Sequence, residues 1–267
     1  MRLSEPAQMS AAPQRGLPGT RPEGVRDEIE AAAHVREMFG RIAPRYDLLN
    51  HLLSLDVDKL WRRRVARRFS AVLHGPNASV LDLCCGTGDL AFAFRKESPS
   101  GAKIIGSDFV PEMLVRARAK AEAATAAVEF IEADALNLPF TAASFDLVSC
   151  AFGFRNLANY EAGLNEILRV LRPGGAAGIL EFAEPPGKVF GALYRFYFRR
   201  VLPLLGGMIS GNASAYAYLP SSVSAFPSPE ALQMQFERAG FVDVQFQRWT
   251  GGIVTLHTGT KPKSTSG

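Results

Sequence analysis

Cysteine and histidine are scarce in this chain of 267 residues, which has three cysteines and four histidines. Three cysteines, two of them adjacent at Cys84 and Cys85, cannot build a disulfide framework, which indicates a reducing compartment. No histidine stands beside the pair in the sequence, so we interpret both as small, inert strand-end residues and not as catalytic thiols. The histidines lack metal-ligand spacing, and we predict no metal.

Long apolar runs and a strong net charge are also missing. No uninterrupted apolar stretch has the length needed to span a bilayer. The net charge is only +4, with the arginines spread over several helices, so we predict no nucleic-acid partner. The first 27 residues are rich in proline, glycine and alanine and have no apolar segment typical of a secretory signal. We expect a disordered extension at residues 1–27, a single domain at residues 28–262 and a cytoplasmic protein.

The sequence does contain a glycine turn between a buried strand and a helix. Residues 79–91 read Ser-Val-Leu-Asp-Leu-Cys-Cys-Gly-Thr-Gly-Asp-Leu-Ala. Gly86 and Gly88 let the backbone turn tightly beside a ligand, and a helix beginning near Asp89 leaves unpaired N–H groups facing it. The next apolar run ends in Asp108, where a strand-end carboxylate can accept two ribose hydroxyls. These features predict a nucleotide-cofactor site.

The glycine turn alone does not choose the cofactor, because Gly86-x-Gly88-x-x-Ala91 also fits the dinucleotide fingerprint of nicotinamide oxidoreductases. The end of the chain argues against that class. Apolar residues alternate over residues 242–246, and a Gly-Gly pair separates them from a second run at 253–258, which predicts a hairpin. A terminal antiparallel hairpin is not expected of a two-half dinucleotide fold. The other predicted strands, at 128–133, 144–149 and 176–181, alternate with helices at 90–97, 111–123 and 160–171, which favours a parallel sheet.

Two further motifs follow in order along the chain: Asp134-Ala135 after the third strand, and Leu171-Arg172-Pro173-Gly174-Gly175 before the fifth. Together with the glycine turn they resemble the S-adenosylmethionine-dependent methyltransferases of the Rossmann-like class I. The resemblance implies an α/β fold, a mostly parallel seven-stranded sheet with a terminal antiparallel hairpin, and S-adenosyl-L-methionine as cofactor. It also implies that Asp82 braces the turn, that Gly86, Thr87 and Gly88 approach the methionine part, that Asp108 binds the ribose, and that Asp134 and Ala135 bracket the adenine.

Three segments narrow the resemblance to the ubiquinone/menaquinone biosynthesis C-methyltransferases, over roughly residues 34–260. They are Arg45-Tyr46-Asp47-Leu48-Leu49-Asn50, Phe152-Gly153-Phe154-Arg155-Asn156 and residues 252–257. The resemblance implies C-methylation of a prenylated quinol, with demethylmenaquinol preferred and the ubiquinone-pathway benzoquinol as the alternative. A noncatalytic methyltransferase-like scaffold in a quinone pathway also stays open.

The family motifs supply the catalytic hypothesis. Arg155 stabilises a developing phenolate, Asn156 orients a ring oxygen, and Tyr46 on the N-terminal cap covers the cofactor or the substrate. The alternative for Arg155 is an ion pair with Glu181 that ties loops together.

Two regions are predicted outside the sheet. Residues 28–75 form a helical cap, with helices at 27–39 and 57–69. Residues 186–221 form an insertion whose apolar residues recur at helical spacing, with Lys188, Arg195 and Arg199 on another face. This insertion packs on the core as a lid, lies against lipid as a basic amphipathic surface that admits a prenylated substrate, or does both. We therefore expect transient contact with the inner face of the membrane, and a homo-oligomer stays open.

Overall fold

The computed structural model describes residues 19–20, 22, 24–47, 54, 56–99, 101–187, 191–192 and 213–263. Seven strands form one sheet, and their bounds are β1 Ser79–Leu83, β2 Lys103–Asp108, β3 Glu129–Glu132, β4 Phe145–Ala151, β5 Leu171–Phe182, β6 Val242–Trp249 and β7 Val254–Thr260. Their order across the sheet is β3-β2-β1-β4-β5-β7-β6. The strands β1 to β5 are parallel, while β7 runs antiparallel to both β5 and β6. The predicted terminal hairpin and the class I methyltransferase fold are confirmed.

Three of the described helices begin directly after a capping residue of the sequence. The bounds of the helices are α1 Glu28–Ile42, α2 Val57–Arg68, α3 Ser70–Leu73, α4 Asp89–Glu97, α5 Pro111–Ala123, α6 Tyr160–Val170, α7 Ala213–Ala225 and α8 Pro229–Arg238. The side chains of Asp27, Asn159 and Ser228 each accept a hydrogen bond from a backbone N–H in the first turn of α1, α6 and α8. Such a bond satisfies a donor that the helix itself leaves unpaired.

Two apolar clusters cover the opposite faces of the sheet. Consecutive residues of β1, Val80 and Leu81, belong to different clusters, as the alternation of side chains along a strand requires. The first cluster contains Trp61 and Phe94 from the α2 and α4 side, and the second contains Phe236 from α8. With helices on both faces, the parallel strands β1, β2 and β4 are buried along most of their length, whereas the edge strand β3 is not.

The fifth strand differs from its prediction at residues 176–181. It begins at Leu171, and the pairing with β4 shifts between Phe145↔Leu171 and Leu147↔Ala176. Gly174 has a positive φ of 80° and donates its N–H to Lys261 O at 2.9 Å. Pro-Gly-Gly therefore forms an irregularity inside the strand, tied to the end of β7, and not the loop that its composition predicts.

The predicted N-terminal extension packs against the domain at its described end. Thr20 is buried, and its N–H donates to Leu157 O at 2.8 Å. The expectation of disorder over residues 1–27 therefore does not hold at Thr20. Residues 1–18 lie outside the described part of the chain, and so does most of the predicted insertion at 186–221. None of the described helices is long and apolar enough to cross a bilayer.

Candidate active site

A cavity of about 360 Å³ opens at the carboxyl ends of β1, β2, β3 and β4. Ligands of open α/β sheets bind at this edge because the loops that follow the strands converge there. The α1 helix closes the cavity from the side of the N-terminal cap. The wall includes Glu28, Ile29, Ala32, Phe39, Tyr46, Asp82, Gly86, Thr87, Asp108, Phe109, Met113, Asp134, Ala135, Asn156, Leu157 and Ala158.

The glycine turn has the backbone conformation that the sequence predicts. Gly86 and Gly88 have positive φ values of 55° and 88°. A Cβ on Gly88 would lie 2.7 Å from Cζ of Phe130, so the turn has no room for a side chain there. Asp82 Oδ2 accepts a hydrogen bond from Ala91 N at 2.9 Å, which holds the first turn of α4 against the end of β1.

Asp82 and Asp108 are buried carboxyl groups on the cavity wall. Asp108 accepts hydrogen bonds from Gly86 N at 2.8 Å and Val110 N at 2.9 Å. Burial nevertheless raises the pKa of Asp108 from 3.8 to about 6, because desolvation of the charge outweighs these bonds. Burial also raises the pKa of Asp82 well above 3.8, and its Oδ1 has no hydrogen-bond partner among the described residues.

These contacts refine the expectation for Asp108. The sequence predicts that this strand-end carboxylate accepts two ribose hydroxyls, and the structure shows that a backbone N–H already donates to each of its oxygens. Each oxygen of a carboxylate can accept a second bond. Asp108 is therefore oriented by the backbone and still able to accept donors from the cavity.

A network of polar side chains ties the N-terminal cap to the glycine turn. Lys120 Nζ lies 2.6 Å from Asp89 Oδ1 and 3.1 Å from both Asp47 Oδ2 and Thr87 Oγ1. The Thr87 hydroxyl donates to Asp47. No local pattern in the sequence points to Lys120, which lies in the last turn of α5 and far along the chain from its partners. Asn50, the last residue of the Tyr-Asp-x-x-Asn motif, lies outside the described residues.

Tyr46, which is predicted to cover the cofactor or the substrate, lies over the turn. A Cβ on Gly86 would be 3.7 Å from Cε1 of Tyr46, so the ring covers this glycine. Asp134 and Ala135 also line the cavity, with Asp134 Oδ1 accepting from Leu136 N at 2.9 Å.

Arg155 does not lie on the cavity wall formed by the described residues. Its side chain is buried, and Nη1 lies 3.1 Å from Glu181 Oε2. The backbone N–H of Arg155 donates to Glu181 Oε1 at 3.0 Å, and Nη1 also donates to Phe152 O. This geometry is the ion pair that the sequence left open as the alternative. It does not support direct contact between Arg155 and a substrate, whereas Asn156 does line the cavity.

The thiols beside the turn are poorly suited to nucleophilic chemistry. A hydrogen bond with Cys150, followed by burial, raises the pKa of Cys84 well above 9.0, and burial does the same for Cys85. A thiol attacks as the thiolate, so both stay in the unreactive form near neutral pH.

Comparison with known proteins identifies the family to which this chain belongs. Residues 27–261 match the ubiE/COQ5 methyltransferase family. The chain belongs to the ubiE/COQ5 methyltransferase family. Members of this family use S-adenosyl-L-methionine as methyl donor.

Individual members of the ubiE/COQ5 methyltransferase family resemble this chain over nearly their whole length. The demethylmenaquinone methyltransferase of Thermus thermophilus is 53% identical over 225 residues, covering 84% of this chain and 100% of that protein. The ubiquinone/menaquinone biosynthesis C-methyltransferase of a Geobacter species is 43% identical over 234 residues, covering 87% and 98%.

Among solved structures, a SAM-dependent methyltransferase from Thermotoga maritima, described as a possible histamine N-methyltransferase, has a TM-score of 0.59 and 19% identity. The match covers 85% of this ubiE/COQ5 chain and 100% of that one. At this identity the likeness supports the fold alone. With the terminal hairpin and the family match, the nicotinamide-enzyme interpretation is excluded.

Proposed function

We propose that the protein transfers the methyl group of S-adenosyl-L-methionine to a ring carbon of demethylmenaquinol. The observation that carries this proposal is a single cavity with two kinds of wall. Carboxylates and a glycine turn form the wall at the strand ends, while α1 and the loop after β4 contribute an apolar wall that includes Ile29, Leu157 and Ala158. The likeness to the demethylmenaquinone methyltransferase of Thermus thermophilus supports the same acceptor.

The polar wall fits the cofactor. Asp108 keeps accepting capacity for the two ribose hydroxyls, and Asp82 braces the glycine turn beside it through the hydrogen bond from Ala91 N. Gly86, Thr87 and Gly88 would lie beside the methionine part, and the turn has no room for a side chain at Gly88. Asp134 and Ala135 form the adjacent wall and would hold the adenine. When bound, the cofactor supplies a methyl group carried on a positively charged sulfur.

The apolar wall fits the acceptor. Ile29 is 81% exposed at the cavity and gives the opening an apolar rim suited to a prenyl chain. Asn156 meets a ring oxygen of the quinol, and Tyr46 covers the turn and excludes water. The ring carbon gains the methyl group and loses its proton, and ionisation of the neighbouring hydroxyl makes that carbon more electron-rich. Arg155 acts on this wall indirectly, because its ion pair with Glu181 holds the loop that carries Asn156.

Mass spectrometry of quinol products tests the acceptor. The protein is incubated anaerobically with S-adenosyl-L-methionine and, in parallel, demethylmenaquinol and the demethylated ubiquinone-pathway benzoquinol. We expect a one-methyl mass gain on the naphthoquinol. No gain on either quinol, with S-adenosylhomocysteine binding shown in the same sample, would refute the proposal and favour the noncatalytic scaffold.

The benzoquinol is the second candidate. It is supported by the likeness to the Geobacter C-methyltransferase, whose name covers both the ubiquinone and the menaquinone pathways. A mass gain on both quinols would identify an enzyme with both acceptors, and a gain on the benzoquinol alone would replace the first proposal with the second.

We also propose that the protein meets its prenylated substrate at an anionic membrane surface. One face of α2, which we call the basic face, exposes Lys59, Arg63, Arg64, Arg67 and Arg68, together with Leu60 at 59% exposure. Lys59 pairs with Asp56, while no ion pair joins Arg63, Arg67 or Arg68 to a residue in the described ranges. Each such cation contributes about 1 kcal/mol of attraction near an anionic leaflet.

Sedimentation with lipid vesicles tests the basic face. We expect the protein to bind vesicles containing phosphatidylglycerol and to bind phosphatidylcholine vesicles much more weakly. Arg67→Glu should reduce the partition coefficient on anionic vesicles by about tenfold or more, because the reversal replaces attraction by repulsion. Arg238→Glu changes charge equally at an exposed site on α8 and should have little effect. Equal binding by both variants would remove the basic face from the account.

A further inference from the structure

Three side chains joined in a row by hydrogen bonds end at the cavity wall. Tyr218 on α7 donates its hydroxyl to Asn156 Oδ1 at 3.0 Å. The hydroxyl of Thr20 lies 3.0 Å from the Tyr218 hydroxyl on its other side. The three residues come from distant parts of the sequence, and of the three it is Asn156 that lines the cavity.

The chemistry of the three polar groups decides which atom donates in each hydrogen bond. A carboxamide oxygen only accepts hydrogen bonds, so the single hydrogen of the Tyr218 phenol is used on Asn156. The oxygen of Tyr218 is then an acceptor, and the Thr20 hydroxyl must be the donor to it. Consecutive hydrogen bonds polarise one another, so the bond that Thr20 donates to Tyr218 strengthens the bond that Tyr218 donates to Asn156.

The bond fixes which end of the Asn156 carboxamide meets the cavity. With Oδ1 held by Tyr218, the amino group is left for the cavity, and no described residue accepts from it. A carboxamide free to rotate by a half turn would instead present an acceptor oxygen. Asn156 is therefore pre-organised as a hydrogen-bond donor.

We propose that Tyr218 is a positioning residue that sets Asn156 as a donor to the ionised ring oxygen of the quinol, and that Thr20 supports Tyr218. This inference rests on the proposed function and deepens it. A donor favours the charged oxygen over the neutral hydroxyl, so the arrangement selects the electron-rich quinolate. It also gives the described end of the N-terminal segment a role in the site.

Contacts of the neighbouring segments hold these three side chains in place. The N–H of Thr20 donates to Leu157 O at 2.8 Å. A Cβ on Gly19 would lie 2.2 Å from the carbonyl carbon of Ala158, so the segment runs directly against the loop after Asn156. Asn159 Nδ2 donates to Glu28 Oε1 at 3.3 Å and ties the same loop to α1. These contacts keep Thr20 and Asn156 on either side of Tyr218.

The test uses Tyr218→Phe, which removes the hydroxyl and keeps the ring that packs against Met38 and Val223. We expect kcat for the quinol to fall by about tenfold, the worth of one hydrogen bond of this kind, with the Kd of S-adenosylhomocysteine unchanged. Thr20→Val should give a smaller loss in the same direction.

A double-mutant cycle separates positioning from mere packing. If Tyr218 acts through Asn156, then Tyr218→Phe combined with Asn156→Ala should be no slower than Asn156→Ala alone. Tyr160→Phe is the matched control, because its hydroxyl donates to Arg155 O in the same loop at 2.9 Å and does not touch Asn156. Its effect should add to that of Asn156→Ala.

Wild-type kcat in Tyr218→Phe, or additive losses in the cycle with Asn156, would overturn the inference while leaving the proposed function standing. Absence of methylation of either quinol by the wild-type protein would overturn the proposed function, and this inference with it.

Discussion

Asp108→Ala is expected to weaken S-adenosylhomocysteine binding by about a hundredfold or more, measured by calorimetry. The carboxylate of Asp108 has room for two hydroxyl donors, and hydrogen bonds to a charged group contribute about 1.5–3 kcal/mol each. Asp108→Asn should also bind weakly, because an amide carbonyl is a poorer acceptor and its amino group repels hydroxyl donors. Near-normal affinity in both variants would remove Asp108 from the cofactor site.

The control for this prediction is Asp146→Ala. Asp146 is also a strand carboxylate that accepts a backbone hydrogen bond, from Ser79 N at 2.8 Å, but it stands near the start of β4 and away from the cavity. We expect unchanged affinity there. Removal of the Asp108 charge does not unfold the protein, so unfolding on that account does not explain a loss of cofactor affinity in Asp108→Ala. Burial raises the folded-state pKa of Asp108 from 3.8 to about 6, so this carboxyl destabilises the fold increasingly as the pH rises from about 3.8 and fully above about 6.

The same carboxyl makes cofactor binding depend on pH. Asp108 must be ionised to accept the ribose hydroxyls, and its pKa in the free protein is about 6. Bound donors favour the ionised form and lower that pKa, so protonation competes with binding as the pH falls through 6. The affinity of the wild-type protein should therefore fall by about tenfold from about pH 7.5 to about pH 5.

Arg155→Ala is expected to destabilise the protein by about 3–5 kcal/mol, measured by denaturant unfolding, because it leaves Glu181 buried without its partner. Glu181 is fully buried and Arg155 nearly so. Turnover should fall as well, since the loop that carries Asn156 loses its anchor. Replacing both partners by apolar residues, as in Arg155→Met with Glu181→Leu, should recover much of the stability.

Arg172→Ala is the matched control for the ion pair. Arg172 pairs with Asp146 at 2.6 Å, with side chains 44% and 32% exposed. A solvent-exposed pair contributes about 0–1 kcal/mol, so this variant should be nearly as stable as the wild type. If Arg155→Ala kept its stability and lost only turnover, Arg155 would have to be returned to direct contact with the substrate.

Local signals explain what the sequence could predict. The glycine turn and the terminal hairpin each depend on neighbouring residues, so their sequence patterns predict the geometry directly. The position of Asp108 also follows from local order, since it ends a strand beside the turn.

Contacts between distant segments explain what it could not. Lys120 contacts Asp47 and Thr87, and Tyr218 on α7 contacts Asn156. No residue spacing in the sequence predicts either contact. For Arg155 the family motif favoured a catalytic role. The buried partner that decides its orientation is Glu181, which is 26 positions further along the chain. Pro-Gly-Gly has the composition of a loop, yet backbone hydrogen bonds to Lys261, the residue after β7, hold it in the sheet.

The measurement that tests the central claim most directly follows the methyl group itself. The protein is incubated anaerobically with demethylmenaquinol and S-adenosyl-L-methionine bearing a trideuterated methyl group, and the product is fragmented in the mass spectrometer. The account predicts a naphthoquinol that carries the intact trideuteromethyl group on a ring carbon. A label on a quinol oxygen, or an unlabelled quinol beside a protein that binds the cofactor, would contradict it.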